Sequence, residues 1–451
     1  MIPILTPEEM AAVDAAAPEP VEVLIDRAGA AVARVALDLL GGPYGRRVVV
    51  LAGKGNNGAD GRAAAARLRR RGVRVTVVDA HDAPARLPQA DLVLDAAYGT
   101  GFHGEHHAPD AGDTPVLAVD IPSGVSGQTG EELGHALPAT TTVTFAALKP
   151  GLVLEPGRAL AGRVVLADIG LDVSAARAGV VEADDVAAWL PAREASSHKW
   201  RAGLVVVAGS PGMTGAAHLA AAAAPRAGAG VVRLASPGVD DDPGRPTEAL
   251  GIALPAEDWT GEVVAAAERA RALVLGPGLG TGDAVRAGVR GVLTTCDLPA
   301  VVDADGLTVL GDDAPEVIGA RKGATVLTPH DREFERLAGG PPSADRLAAA
   351  RDLAATTGAV VLLKGSTTVV ADPNGEVRVV TEGDARLATA GTGDVLSGVI
   401  GALLARGMAA LDAAAAGAWL HARAARHGPA HGLVATDLLE LLPLALAEVT
   451  G

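Results

Sequence analysis

Short runs of valine, leucine and isoleucine recur through most of the chain, separated by helix-like or loop segments. In the amino-terminal part they fall at residues 47–51, 73–78, 92–95, 116–120, 141–145 and 164–168. Strands buried on both faces read as continuous apolar runs, and strands that alternate with helical patterns build a parallel sheet. Ahead of them, residues 5–40 read as helices interrupted near Pro18 and Pro20. Between Gly170 and Trp200 the pattern lapses into an acidic, alanine-rich stretch ending in Ser196-Ser197-His198-Lys199. A second series follows at 204–208, 231–235, 272–275, 300–302, 324–327 and 360–363. Residues 367–371 and 377–381 then predict a hairpin turning through Asp372-Pro373-Asn374-Gly375. Helical patterns at 395–405, 412–427 and 436–449 close the chain. The expected organisation is two α/β domains, residues 1–174 and 175–451, the first a doubly wound parallel sheet.

Composition narrows this picture. A chain of 451 residues exceeds what one core usually holds. Aromatic residues are 2 % of it, so the cores must be built from Val, Leu and Ala. The net charge of −16 argues against nucleic acid as a partner; Arg67, Arg69, Arg70 and Arg71 read as a solvated helix end. Residues 202–225 carry no charged side chain and are long enough for a membrane span. Gly203, Gly209, Pro211, Gly212 and Gly215 interrupt them, and strand, turn and helix is the better reading. The single cysteine, Cys296, forms no internal disulfide, no Cys/His cluster has zinc spacing, and MIPILTPEEM has no leader pattern; a cytoplasmic protein is expected.

Candidate chemistry sits at the predicted strand ends. Gly391-Thr392-Gly393-Asp394 opens an apolar helix. Bare glycine amides at a helix start cradle an anion, and a carboxylate placed there serves to take a proton from a hydroxyl attacking a phosphoryl group. The same residues would also serve as a simple cap with an acidic first turn. Gly53-Lys54-Gly55-Asn56-Asn57-Gly58 fits the dinucleotide-binding pattern, with Asp79 ending the next strand. Asp60, however, stands where a pyrophosphate wants an uncharged helix start. Asp95 and Asp120 each end a strand, and Ser123 follows. With Asn57 they could converge on a ligand or a hard cation, or merely cap their loops. Gly276-Pro277-Gly278-Leu279-Gly280, Thr328-Pro329-His330 and Lys364-Gly365-Ser366-Thr367-Thr368 complete the set.

The runs NNGADG, DAAYGTGFHG and VDIPSGVSG together resemble the NAD(P)H-hydrate epimerase family. GSPGMTGAA, GPGLG, LTPH, LKGSTT and ATAGTGDVLSG resemble the ADP-dependent NAD(P)H-hydrate dehydratase family. The resemblance implies a Rossmann-like first domain and a ribokinase-like second one, joined in a bifunctional repair enzyme. It implies that Asn56, Asn57, Gly58, Ala59 and Asp60, with Gly99, Thr100, Gly101, Phe102, His103, Gly104 and Glu105, contact the hydrate. Ala59 stands where the family has a second glycine. Asn57, Asp95 and Ser123 would bind K⁺, and Asp120 would be the acid/base group. In the second domain Ala216, Gly278, Gly280, His330 and Asp394 would face the hydrate, with Asp394 catalytic. Lys364, Gly365, Ser366, Thr367, Thr368 and Gly393 would hold ADP, with Mg²⁺ as its companion. Asp331-Arg332 replaces a Pro-Gly often found before Glu333. The expected partners are NADHX, NADPHX and ADP, with no nucleic acid and no membrane, and the expected assembly is a homo-oligomer. The competing reading is a small-molecule kinase of the same fold fused to a non-catalytic binding module.

Overall fold

The computed structural model describes residues 1–192 and 198–451; Ser196 and Ser197 of the expected linker lie outside the described residues. The chain divides into two compact units, Ile2–Ala178 and Gly179–Gly451, the latter together with Met1.

The first unit is built on a six-stranded sheet in the order Arg74–Asp79, Arg47–Ala52, Leu92–Ala96, Val116–Val119, Thr141–Phe145, Arg163–Ala167. Every pairing is parallel, as the continuous apolar runs require. The chain order reverses between Arg47–Ala52 and Leu92–Ala96, whose register pairs Leu51 with Asp95. At such a reversal the following loops diverge and leave a crevice at the carboxyl ends. Helices Val21–Leu40 and Asn56–Arg70 pack on one face through Ala28, Val32, Ala36, Ala64 and Leu68. Leu87, Leu137 and Ala139, from irregular segments, close the other.

In the second unit the sheet runs Ala178–Val180, Val377–Val380, Thr368–Ala371, Val360–Leu363, Thr325–Leu327, Ala300–Val302, Ala272–Leu275, Gly203–Val207, Val231–Pro237, Ala249–Leu254. The pairings from Val360–Leu363 to Ala249–Leu254 are parallel, and the expected hairpin is antiparallel. Helix Thr392–Ala405 lies against this sheet with almost no clearance. A Cβ added at Gly401 would come 2.4 Å from Val274 Cγ2 in the sheet, and one at Gly398 would come 2.2 Å from the Ala220 carbonyl of the neighbouring helix Thr214–Arg226. Small residues therefore replace bulk as the means of filling the core.

Two expectations need correction. The stretch between Gly170 and Trp200 holds strand Ala178–Val180 and helix Ala183–Trp189. The strand is three residues long but fully buried, too short to register as a pattern. Strand Ala249–Leu254 is also absent from the sequence reading; among the described residues it pairs with Val231–Pro237 alone, and Gly251 splits its otherwise apolar run. Residues 202–225 contain strand Gly203–Val207 and helix Thr214–Arg226. Among the described residues no helix is long and apolar enough to cross a membrane.

Candidate active sites

The first site lies at the strand reversal of the first unit. An added Cβ would meet the Ala97 carbonyl at 1.9 Å from Gly53, and the Gly53 carbonyl at 1.9 Å from Gly58. This turn tolerates only glycine, and its tightness aims the start of helix Asn56–Arg70 into the crevice. Gly55 caps that helix without a side-chain bond, so its first amides stay open. A cavity of about 770 Å³ results, walled by Lys54, Asn57, Asp60, Thr100, Asp120 and Lys149 among others.

Asp120 follows its strand with φ +68°, a left-handed conformation unfavourable for a residue with a Cβ. Its amide donates to the Val143 carbonyl at 2.7 Å, and Lys149 Nζ donates to its Oδ1 at 2.6 Å. Lys149 is buried and also donates to Thr144 Oγ1 and the Phe145 carbonyl. Asp60 is buried, and its Oδ1 has no partner among the described residues. Burial, then the Asp120 and Asp14 charges, push its carboxyl up to about 8.

Asp95 and Ser123 lock together under the cavity: Ser123 Oγ donates to Asp95 Oδ1 at 2.6 Å and its amide to Oδ2 at 2.8 Å. Burial raises the Asp95 carboxyl despite these bonds. Both side-chain polar atoms of Asn57 are buried without a partner among the described residues. Gly99 touches both regions, since an added Cβ would lie 3.3 Å from Asn57 Cβ and 3.4 Å from Asp120 Oδ2.

Not every expected contact reaches this cavity. Asn56, Asn57, Asp60, Gly99, Thr100, Gly101, Phe102 and His103 line it. Gly58 is spent on packing, and Ala59 is a half-buried helix residue whose amide bonds to Gly55. Gly104 and Glu105 lie off the wall, the Glu105 side chain 81 % exposed. Lys149 and Asp14 are the residues that the sequence reading missed. A lysine inside the apolar run from Ala146 to Leu152 is the signal for the first; Asp14 leaves no comparable signal.

The second site is at the carboxyl ends of the second unit's strands. Gly391, with φ +90°, starts helix Thr392–Ala405, and no side chain caps it. Beneath it His421 is buried; burial drives its imidazole down to about 4, so it contacts the Thr392 backbone as a neutral ring. An added Cβ at Gly393 would lie 3.7 Å from Lys364 Nζ and 3.9 Å from Asp303 Oδ2. Lys364 Nζ donates to Asp303 Oδ1 at 2.9 Å and lies 3.6 Å from Glu333 Oε2. Ser397 Oγ, one turn beyond Asp394, donates to Asp303 Oδ2 at 2.7 Å. Burial opposes both charges, yet the Lys364–Asp303 contact holds the ammonium above and the carboxyl beneath their ordinary values. Asp394 is half-buried; burial, then the Asp303 charge, pushes its carboxyl up to about 7.

Gly278 packs against Met213 and Ala216, at 2.8 Å and 3.1 Å from an added Cβ, and the Gly280 amide donates to Asp305 Oδ2 at 2.8 Å. His330 caps helix Asp331–Ala338: its Nδ1 accepts the Arg332 and Glu333 amides, while Glu333 accepts its own amide. The departure at Asp331-Arg332 leaves that capping box intact. Arg346 braces the Lys364 carbonyl at 2.9 Å and Asp331 at 3.0 Å. Thr367 is buried, and Thr368 opens a strand. The sequence reading missed Asp303, Asp305 and Ser397, although Asp303 ends strand Ala300–Val302 as Asp95 and Asp120 end theirs.

A family model described as NAD(P)H-hydrate dehydratase matches residues 204–444, and one described as YjeF-related protein N-terminus matches 21–90 and 78–151. The bifunctional NAD(P)H-hydrate repair enzyme Nnr of Mycobacterium tuberculosis (strain ATCC 25618 / H37Rv) is 43 % identical over 402 residues, covering 83 % of this chain and 82 % of its own. Its namesake in Salinibacter ruber is 37 % identical over 528 residues, covering 100 % and 97 %. Among solved structures, an ADP/ATP-dependent NAD(P)H-hydrate dehydratase from Bacillus subtilis, co-crystallised with ATP and Mg²⁺, is 32 % identical. It matches 59 % of this chain and 97 % of its own with a TM-score of 0.50. A ribokinase-like superfamily protein from Enterococcus faecalis shares the fold, at 22 % identity and a TM-score of 0.53, covering 61 % of this chain and 98 % of its own. The two family models, the full-length relatives and the two carboxylate-bearing crevices agree: this chain belongs to the bifunctional NAD(P)H-hydrate repair enzymes.

Proposed function

We propose that the first unit interconverts the R and S forms of NADHX and NADPHX, and that the second uses ADP to dehydrate the S form to NADH or NADPH. The observation that carries this reading is a carboxyl group poised near neutrality, Asp394, at the first turn of an uncapped helix beside Lys364. A base there accepts the substrate hydroxyl proton as the oxygen attacks the β-phosphoryl group of ADP, and AMP leaves. The open amides at Gly393 and Asp394 stabilise the charge on the transferring group. Loss of phosphate and a ring proton then restores the reduced nicotinamide. Lys364, fixed between Asp303 and Glu333, supplies a charge for the nucleotide phosphates.

In the first unit Asp120, matched by Lys149, is the acid/base group facing the hydrated ring carbon. A potassium ion suits Asn57, Asp95 and Ser123: an amide oxygen without a partner stands with a buried carboxylate and a hydroxyl, a hard-oxygen set of single negative charge. Bound there, it supplies a fixed positive charge beside the ligand. In the second unit the carboxyl groups of Asp303, Asp305, Glu333 and Asp394 gather near Lys364, a concentration of negative charge that suits Mg²⁺ accompanying the nucleotide, with Asp305 as its protein contact. Mg²⁺ supplies charge neutralisation for the phosphoryl groups.

The test is the pure R hydrate given ADP, Mg²⁺ and K⁺, followed by recovery of reduced-nicotinamide absorbance. We expect recovery, release of AMP and phosphate in equal amounts, and a dehydration rate that climbs as pH rises through about 7, where Asp394 loses its proton. A kinase with a binding module attached would instead accumulate a stable phosphorylated product and no reduced cofactor.

A further inference from the structure

Asp120 alone leaves half of the first reaction without an agent. Changing the configuration of a ring carbon that carries both a hydroxyl and the ring nitrogen requires one proton to be removed and another delivered. The cavity holds a second carboxyl group suited to delivery. Asp60 projects from the second turn of helix Asn56–Arg70 into the cavity wall, 7 % exposed, with Oδ1 lacking a partner among the described residues. The charges acting on it are Asp120 from the end of Val116–Val119, Asp14 from helix Pro7–Ala15, and Lys149 beyond Thr141–Phe145. Lys149, whose charge favours the ionised form, is already engaged at 2.6 Å by Asp120 and by further bonds to Thr144 and Phe145, and burial outweighs its pull on Asp60. The two carboxyls thus have opposite surroundings: Asp120 is ion-paired to Lys149, while Asp60 is buried in the cavity wall beside the negative charges of Asp120 and Asp14. A buried carboxyl without an ion-pair partner beside an ion-paired carboxylate supplies an acid and a base in one cavity.

We propose that Asp60 is the proton donor of the first unit, paired with Asp120 as the acceptor. This rests on the epimerase reading of that unit. The Asp120 carboxylate takes the hydroxyl proton, the carbon–oxygen bond becomes a carbonyl, and the bond from that carbon to the ring nitrogen breaks. Its electron pair goes to the nitrogen, which receives the Asp60 proton. Rotation of the freed carbonyl arm presents its other face. The nitrogen then re-attacks, Asp60 recovers its proton, and Asp120 returns the other to the oxygen. Atoms and charge balance without any co-reactant.

The experiment uses the full chain, the pure R hydrate and no ADP, with the epimers separated chromatographically. For Asp60→Asn we expect kcat to fall by about 10² to 10⁴, the range for loss of a positioned acid, with KM nearly unchanged. The wild-type kcat should decline as pH rises through about 8, because the donor must be protonated. ADP-dependent dehydration of the S hydrate by the same variant should proceed at the wild-type rate, and Asp60→Glu should restore part of the lost epimerisation. A wild-type rate that stays level from pH 7 to about 10 would overturn the proposal whether or not the variant folds, given the value of about 8. An Asp60→Asn protein with unaltered kcat and a raised KM overturns it too, leaving Asp60 a binding residue. A wild-type protein that never interconverts the epimers removes the epimerase reading instead.

Discussion

Asp60 and Asp394 are carboxyl groups that the fold holds far from their ordinary titration, and each has a cost that can be measured. Native Asp60 keeps its proton to about pH 8, whereas an unfolded aspartate releases it near 3.9. Its folded pKa is the raised one, so the stability it contributes is complete below the unfolded value and lost as pH climbs to about 8. Asp60→Asn escapes that loss. Thermal unfolding of the first unit should therefore favour the variant by a margin that widens from pH 4 to 8 and then levels, reaching about 5–6 kcal/mol at roughly 1.4 kcal/mol per pH unit. A margin independent of pH would mean that Asp60 is ionised in the native protein. Asp303 shows the complementary device. By holding both Lys364 and Ser397, it ties that lysine to the helix that carries Asp394.

At the scale of elements, glycines decide where the chemistry can sit. Gly391 combines φ +90° with a Leu219 Cδ1 only 2.5 Å from any added Cβ and an Ala435 Cβ at 3.1 Å. Gly391→Ala should turn the start of helix Thr392–Ala405 away from its seat, lowering ADP-dependent dehydration at least tenfold and stability by about 1–3 kcal/mol, while epimerisation is unchanged. Both activities measured on one preparation, with a melting curve, check this. The element scale is also where sequence reading was strongest. Runs such as 92–95 and 116–120 announce strands because a strand buried on both faces cannot alternate. It was weakest at Ala178–Val180, where three residues carry no period, and at Ala249–Leu254, where Gly251 splits a six-residue run.

For the whole molecule, each unit carries a crevice at the carboxyl ends of its parallel strands. Single substitutions should accordingly divide the overall reaction. Asp120→Ala should regenerate reduced cofactor from the S hydrate and ADP at the wild-type rate but from the R hydrate only as fast as the epimers exchange unaided. Asp394→Asn should interconvert the epimers normally and regenerate nothing. Absorbance recovery from each pure epimer, with chromatography of what remains, reads both results; loss of both activities in either variant would show that the units do not act separately.

The linear chain itself determined the parallel-sheet architecture, the division into two α/β halves, and the carboxylates and glycines at strand ends. These are local consequences of apolar continuity and of backbone that only glycine accommodates. What waited for tertiary structure were the partnerships. Lys149 with Asp120, Asp303 with Lys364 and Ser397, and the Asp60 Oδ1 that finds no partner among the described residues depend on residues up to 94 positions apart meeting at the ends of different strands. Burial and neighbouring charge set the proton affinity of a carboxyl group, and neither is a property of its place in the sequence.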